Sequence, residues 1–113
     1  MNARGLADEL ANGACGERVA VIGCGWEGRR ASEDESAAVV ILHHLREKGT
    51  ELDERAERVV GSYLARSKKP LRRNNAARRL SLLGYERDID FCRTEDALPV
   101  VPRLEGDAFV GRQ

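Results

Sequence analysis

Aromatic side chains are nearly missing from this sequence: one Trp, two Tyr and two Phe in 113 residues. A core must therefore be built from Val, Leu, Ile and Ala. Net charge is missing too, because nineteen basic and nineteen acidic residues cancel. No overall field draws the chain to nucleic acid or to an anionic membrane. Lysine is scarce, three residues against sixteen Arg. The planar Arg fork suits phosphate and carboxylate ligands, although genome composition produces the same bias. The three cysteines, Cys15, Cys24 and Cys92, have no metal-ligand spacing and leave one unpaired in any disulfide scheme. Cys24 and Cys92 read as small buried hydrophobes. No apolar run approaches the ~18 residues of a membrane span, and no basic-then-apolar signal pattern opens the chain. The expectation is a cytoplasmic protein with no membrane contact. A 42% hydrophobic content beside 34% charge fits one globular domain, 1–113, with a thin core.

The apolar pattern then sets the elements. Asn2 caps a first helix through Leu6, Ala7, Leu10 and Ala11, which Asn12-Gly13 ends. Arg18 to Gly25 is a continuous apolar run, predicting a strand buried on both faces as in a parallel sheet. Ser32 with Glu35 reads as a capping box, and the helix that follows carries Ala37, Ala38, Val40, Ile41, Leu42 and Leu45 up to Gly49. Thr50 and Asp53 offer a cap for a third helix with Leu52, Ala56, Val59, Val60, Tyr63 and Leu64 inward. Arg66 to Arg79 is basic, and Leu71 to Leu83 gives a broken helical period stopped by Gly84. A short helix, Glu86 to Arg93, packs by Ile89, Phe91 and Cys92. A terminal hairpin turns at Glu105-Gly106-Asp107, with Pro99 and Pro102 marking an edge ribbon. This is an α/β chain with one buried strand, about four helices and a short hairpin. A lone parallel strand cannot satisfy its backbone groups, so the sheet it belongs to is lacking.

In open α/β sheets ligands bind beyond the carboxyl ends of strands, near helix N-termini. The loop Gly25 to Arg30 and the helix start Ser32 to Asp34 occupy that place. Glu33 and Asp34 are candidate catalytic and metal carboxylates, suited to Mg²⁺. Arg29 and Arg30 are candidate contacts to an anionic substrate. Acids in a first helical turn are also ordinary partners of the helix dipole. Gly23, Gly25 and Gly28 match a dinucleotide fingerprint, but Trp26 is bulky where a pyrophosphate must approach, and the helix starts late. His43 and His44 point about 100° apart on a helix, which argues against a shared metal. The basic stretch Arg66 to Arg79 carries no aromatic to stack a base, so it reads as a solvated face and nucleic acid is not an expected partner.

Taken in order, these residues resemble the C-terminal half of the 2-phosphosulfolactate phosphatase family. The likeness runs through Asn2-Ala3-Arg4, Val19 to Cys24, Trp26, Gly28, Ala31-Ser32-Glu33-Asp34, Arg78-Arg79-Leu80, Leu83-Gly84, Asp88, Phe91-Cys92, Asp96 and Val100-Val101-Pro102. Glycines expected after the Glu-Asp pair stand here as Ala37 and Val39, and another as Ala77. The resemblance implies the C-terminal part of a phosphosulfolactate-phosphatase-like fold. It further implies a Mg²⁺-dependent phosphatase that turns a small anionic phosphomonoester into sulfolactate and phosphate on a route to coenzyme M. Family members are about twice as long, so the expectation is a truncated chain, either a homo-oligomer or paired with a missing N-terminal half. The alternative is a non-catalytic α/β interaction module that needs a partner to complete its sheet.

Overall fold

The computed structural model describes residues 2–13, 16–65 and 75–112. Five helices and two strands follow in order: α1 Ala3–Ala11, α2 Ser32–Glu47, α3 Glu54–Ala65, α4 Asn75–Leu82, α5 Glu86–Arg93, β1 Val101–Glu105 and β2 Ala108–Arg112. The broken period before Gly84 makes a helix of its own, so the described residues hold five helices rather than about four. Cys15, Leu71 and the basic stretch from Arg66 to residue 74 lie outside the described residues.

Helix ends follow local chemistry. At the end of α2, Gly49 is left-handed (φ 85°). Its N–H donates to the Arg46 carbonyl and the Thr50 N–H donates to the Leu45 carbonyl. That paired arrangement satisfies carbonyls which the helix leaves open. Gly84 and Tyr85 close α4 the same way, onto Ser81 and Leu80. At the start of α3, the Asp53 carboxylate accepts the Ala56 N–H at 2.7 Å, the cap expected there. The Ser32 capping box does not form. Ala31 is the extended residue before α2, and Ser32 is already helical with no side-chain cap bond. The Glu35 carboxylate is instead taken by Arg30 at 2.6 Å.

α2 lies between α1 and α3. Ala3 and Ala7 of α1, Val39, Val40 and Leu45 of α2, and Val60 of α3 are buried. Alanines on α1 let its backbone come close to α2, as an aliphatic core short of aromatics requires. A Lys48–Asp8 ion pair joins α2 to α1, and Arg46–Glu57 at 3.2 Å joins α2 to α3. β1 and β2 form an antiparallel hairpin in which Glu105 faces Ala108. The turn is thus the two residues Gly106 and Asp107, with Gly106 at φ 65°. The hairpin is clasped to α1 by Arg103–Glu9 at 2.7 Å, and the segment leading into it is held to the start of the chain by Arg4–Asp96 at 3.6 Å and by the Asn2 amide donating to the Val100 carbonyl.

The expected buried strand from Arg18 to Gly25 is not a strand. Residues 17–25 form no strand, and among the described residues the backbone of 17–24 makes no hydrogen bond. Val19 is 40% and Ile22 78% exposed. The cause is the one the apolar run itself implied: the described residues offer no neighbouring strand to pair with it. Cys24, read as buried, is exposed with that segment, and Cys92 is exposed on α5. No residue of α5 is buried, and Phe91 is 58% exposed, because α5 packs chiefly on the equally small α4.

Candidate functional site

Between the apolar segment and α2 the chain makes one tight turn. Trp26 and Arg29 exchange both backbone hydrogen bonds at 2.9 Å. Glu27 and Gly28 between them have φ of 48° and 71°, the pattern of a type I′ turn. Gly25, just before it, is also left-handed at φ 71°, and a Cβ there would stand 2.3 Å from the Arg29 carbonyl oxygen. Only glycine fits that approach. The Asp34 carboxylate then reaches back from the first turn of α2 and accepts the Gly25 N–H at 2.7 Å. This charge-assisted bond ties the turn to the helix start. Gly23 lies against Asp34 as well, with room for little more than hydrogen: an added Cβ would be 3.3 Å from the Asp34 Cβ.

The four residues singled out in the sequence therefore fall in different places. Asp34 holds the loop. Glu33, its neighbour on α2, accepts from the Ser32 hydroxyl at 3.5 Å. Arg30 is paired with Glu35, both largely exposed, so that pair adds little stability while occupying the guanidinium. Arg29 is at the turn, exposed, with no ion pair among the described residues. Asp34 and Arg30 line an open groove between residues 18–23 and the faces of α2 and α3, with Val39, Leu42, Val59 and Tyr63 along its walls. Among the described residues no three Asp, Glu, His or Cys side chains come together to hold a metal. Glu33 and Asp34 are neighbours in the first turn of α2. The rings of His43 and His44 both turn toward Glu47, at 3.7 and 3.2 Å.

The family model described as 2-phosphosulpholactate phosphatase matches residues 1–107. The chain belongs to the 2-phosphosulpholactate phosphatase family. A protein of Thermotoga maritima named "Probable 2-phosphosulfolactate phosphatase" is 33% identical over 97 residues, and one of Thermotoga petrophila with the same name is 27% identical over 95. Each alignment takes in 83% of this chain and 42% of the relative, so the chain spans about two fifths of their length. No solved structure matches the chain significantly. Among the described residues, no helix is long and apolar enough to cross a membrane.

Within this family member, two of the positions where glycine was expected have become core. Val39 is 3% and Ala77 6% exposed, so the larger side chains are absorbed by packing. The contact that residue spacing could not show lies between the turn and α4. The Arg79 guanidinium sits over the Trp26 ring, 3.9 Å from its centroid. Fifty-three residues of separation hide this pairing from any local pattern.

Tyr63 on the groove wall carries a resolvable electrostatic signature. Burial, with the Glu95 carboxylate adding to it, pushes its hydroxyl above the usual 10. The folded chain thus holds this proton more tightly than the unfolded chain does. Its contribution to stability is complete below the unfolded value and is lost as pH rises through the folded one. Tyr63→Phe is expected to flatten that alkaline decline, read from melting temperatures between about pH 8 and 11. An unchanged slope would refute it.

Proposed function

We propose that this chain forms part of a phosphomonoester hydrolase whose site lies at the turn 25–30 and the start of α2. The single observation carrying this reading is the family match over residues 1–107. The names of the two Thermotoga relatives support a phosphosulfolactate as the substrate class. In the reaction, water adds to phosphorus, the P–O bond to the lactate carbon skeleton breaks, and the alkoxide takes a proton to give sulfolactate and inorganic phosphate. Glu33 is assigned to the water or the shell of a metal ion. Asp34, with one oxygen committed to Gly25, positions the loop. Arg29 and Arg30 face the anionic substrate, Arg29 more readily because Arg30 is held by Glu35. Mg²⁺ belongs to the proposal only as an ion that takes its remaining ligands from elsewhere in the enzyme.

A second reading is favoured by the apolar segment. Among the described residues the backbone of 17–24 is unpaired, and the groove beneath it is lined by apolar faces of α2 and α3. We infer that a strand from the rest of a family-length phosphatase, whichever polypeptide supplies it, pairs with this segment and completes a sheet. One experiment serves both. Phosphate release from 2-phosphosulfolactate with Mg²⁺ is measured for the chain alone and co-expressed with the remaining portion of a Thermotoga relative. Turnover that appears or rises at least about tenfold on co-expression, with co-elution, is expected. No turnover in either case removes the catalytic reading, and a stable monomer that never co-elutes removes the sheet completion.

A further inference from the structure

The turn and α4 meet at one point, and that point has the makings of a second anion contact. Trp26 and Arg29 are the hydrogen-bonded ends of the I′ turn. Residues paired in this way across an antiparallel ribbon project their side chains from the same face. The turn cannot easily change shape, since Gly25, Glu27 and Gly28 are left-handed and Asp34 anchors Gly25. Arg79 arrives on the Trp26 ring from a helix that otherwise packs chiefly on α5.

A guanidinium lying on an aromatic face keeps the N–H groups along its edge available, and those edges are what grip an oxyanion with two parallel hydrogen bonds. The ring is 53% exposed, so the stacking is solvated and weak as a structural staple. Arg4, Arg30, Arg46, Arg58, Arg93 and Arg103 each have a carboxylate partner. Arg29 and Arg79 have none among the described residues, a freedom they share with Arg18, Arg55, Arg78 and Arg87; what sets Arg79 apart is its seat on the Trp26 ring. Two unneutralised forks set around one ring leave a positive site at the mouth of the loop.

We propose that Arg79 and Arg29, arranged about Trp26, bind a tetrahedral oxyanion of a small molecule, phosphate or sulfonate. Arg79 thereby becomes a specificity-determining residue that spacing alone does not reveal. The proposal deepens the phosphatase reading and rests on it for the identity of the substrate. It places the phosphate and the sulfonate of a phosphosulfolactate, two of its three anionic groups, on different parts of the site, one near the start of α2 and one at the Trp26 turn.

Trp26 is the sole tryptophan of the chain, so its emission reports on this spot. The whole chain is titrated with inorganic phosphate and, separately, with propane-1-sulfonate, each against sodium chloride at matched ionic strength. A saturable emission change beyond that of chloride is expected for at least one of them. Response to phosphate alone marks a phosphoryl subsite, and response to sulfonate alone a sulfonate subsite. Arg79→Gln and Arg29→Gln are each expected to weaken that binding at least tenfold. Arg79→Lys keeps the charge but loses the fork and is expected to weaken it severalfold, which decides the matter if Arg79→Gln disturbs the fold. A response no larger than that of chloride, or equal affinity in wild type and all variants, overturns the subsite. Turnover by the co-expressed enzyme separates the two claims. Hydrolysis with an unchanged KM in Arg79→Gln overturns the subsite and leaves the phosphatase reading standing. A wild type without hydrolysis overturns the phosphatase reading, while the emission titration still decides whether the oxyanion binds.

Discussion

Gly25→Ala is expected to dismantle the turn that carries the candidate site. Two costs coincide at this position. A left-handed backbone costs an L-residue about 1–2 kcal/mol, and the new Cβ would lie 2.3 Å from the Arg29 carbonyl oxygen, which is backbone and cannot swing aside. Relief requires breaking the paired Trp26–Arg29 hydrogen bonds, for a combined loss of roughly 3 kcal/mol of local stability. Gly28→Ala supplies the control. Gly28 has the same φ of 71°, yet nothing lies within 4 Å of its would-be Cβ, so only the conformational cost applies, about 1 kcal/mol. Urea unfolding followed by Trp26 emission should therefore show a large drop in midpoint for Gly25→Ala and a small one for Gly28→Ala. Equal midpoints for the two variants would be incompatible with the close approach at Gly25.

The second large effect is expected at Asp34. Its carboxylate accepts the Gly25 N–H at 2.7 Å in a part-buried setting. Asp34→Ala leaves that donor without a partner and releases the turn, a loss of about 2–3 kcal/mol. In the proposed phosphatase, assayed with its co-expressed remainder, the corresponding fall in kcat/KM is expected to be at least about a hundredfold, since loop placement sets the reacting geometry. Asp34→Asn keeps an acceptor oxygen in the same place and should stay within about tenfold of wild type. This contrast identifies a positioning role. Should asparagine prove as damaging as alanine, the negative charge itself takes part in the chemistry. Glu33 would then share the carboxylate role with Asp34 instead of carrying it.

Elements whose determinants are local were legible in the sequence. Gly49, Gly84 and Asp53 act through hydrogen bonds a few residues away, and each ends or begins a helix where the residue types say it should. The two-residue hairpin turn at Gly106-Asp107 was legible to within one residue for the same reason. The segment Arg18 to Gly25 shows the opposite case. Its composition describes an environment, a sheet on both sides, and the described residues do not contain that environment. α5 fails in the same way: Phe91 and Cys92 were read as packing residues, and little stands opposite them but α4. At the candidate site, residues 29, 30, 33 and 34 lie on the turn and the start of α2, where the sequence pattern put them. Which of them are already engaged by neighbours depended on side-chain geometry, because Glu35 could serve Ser32 or Arg30 and took Arg30. The Trp26–Arg79 contact depended on tertiary placement altogether.

The clasp between α1 and the hairpin has a kinetic side. Arg103 and Glu9 lie 94 residues apart, whereas Arg46 and Glu57, which join α2 to α3, are separated by 11. Chain entropy makes the longer closure costlier by roughly 2 kcal/mol. The α2–α3 pair can therefore assemble while the ends of the chain still diffuse, and the hairpin docks last. A clasp that closes late is absent from most of the transition state, so weakening it speeds unfolding and scarcely slows folding. Removing the Arg103–Glu9 clasp is thus expected to show in the rate of opening and hardly in the rate of closing.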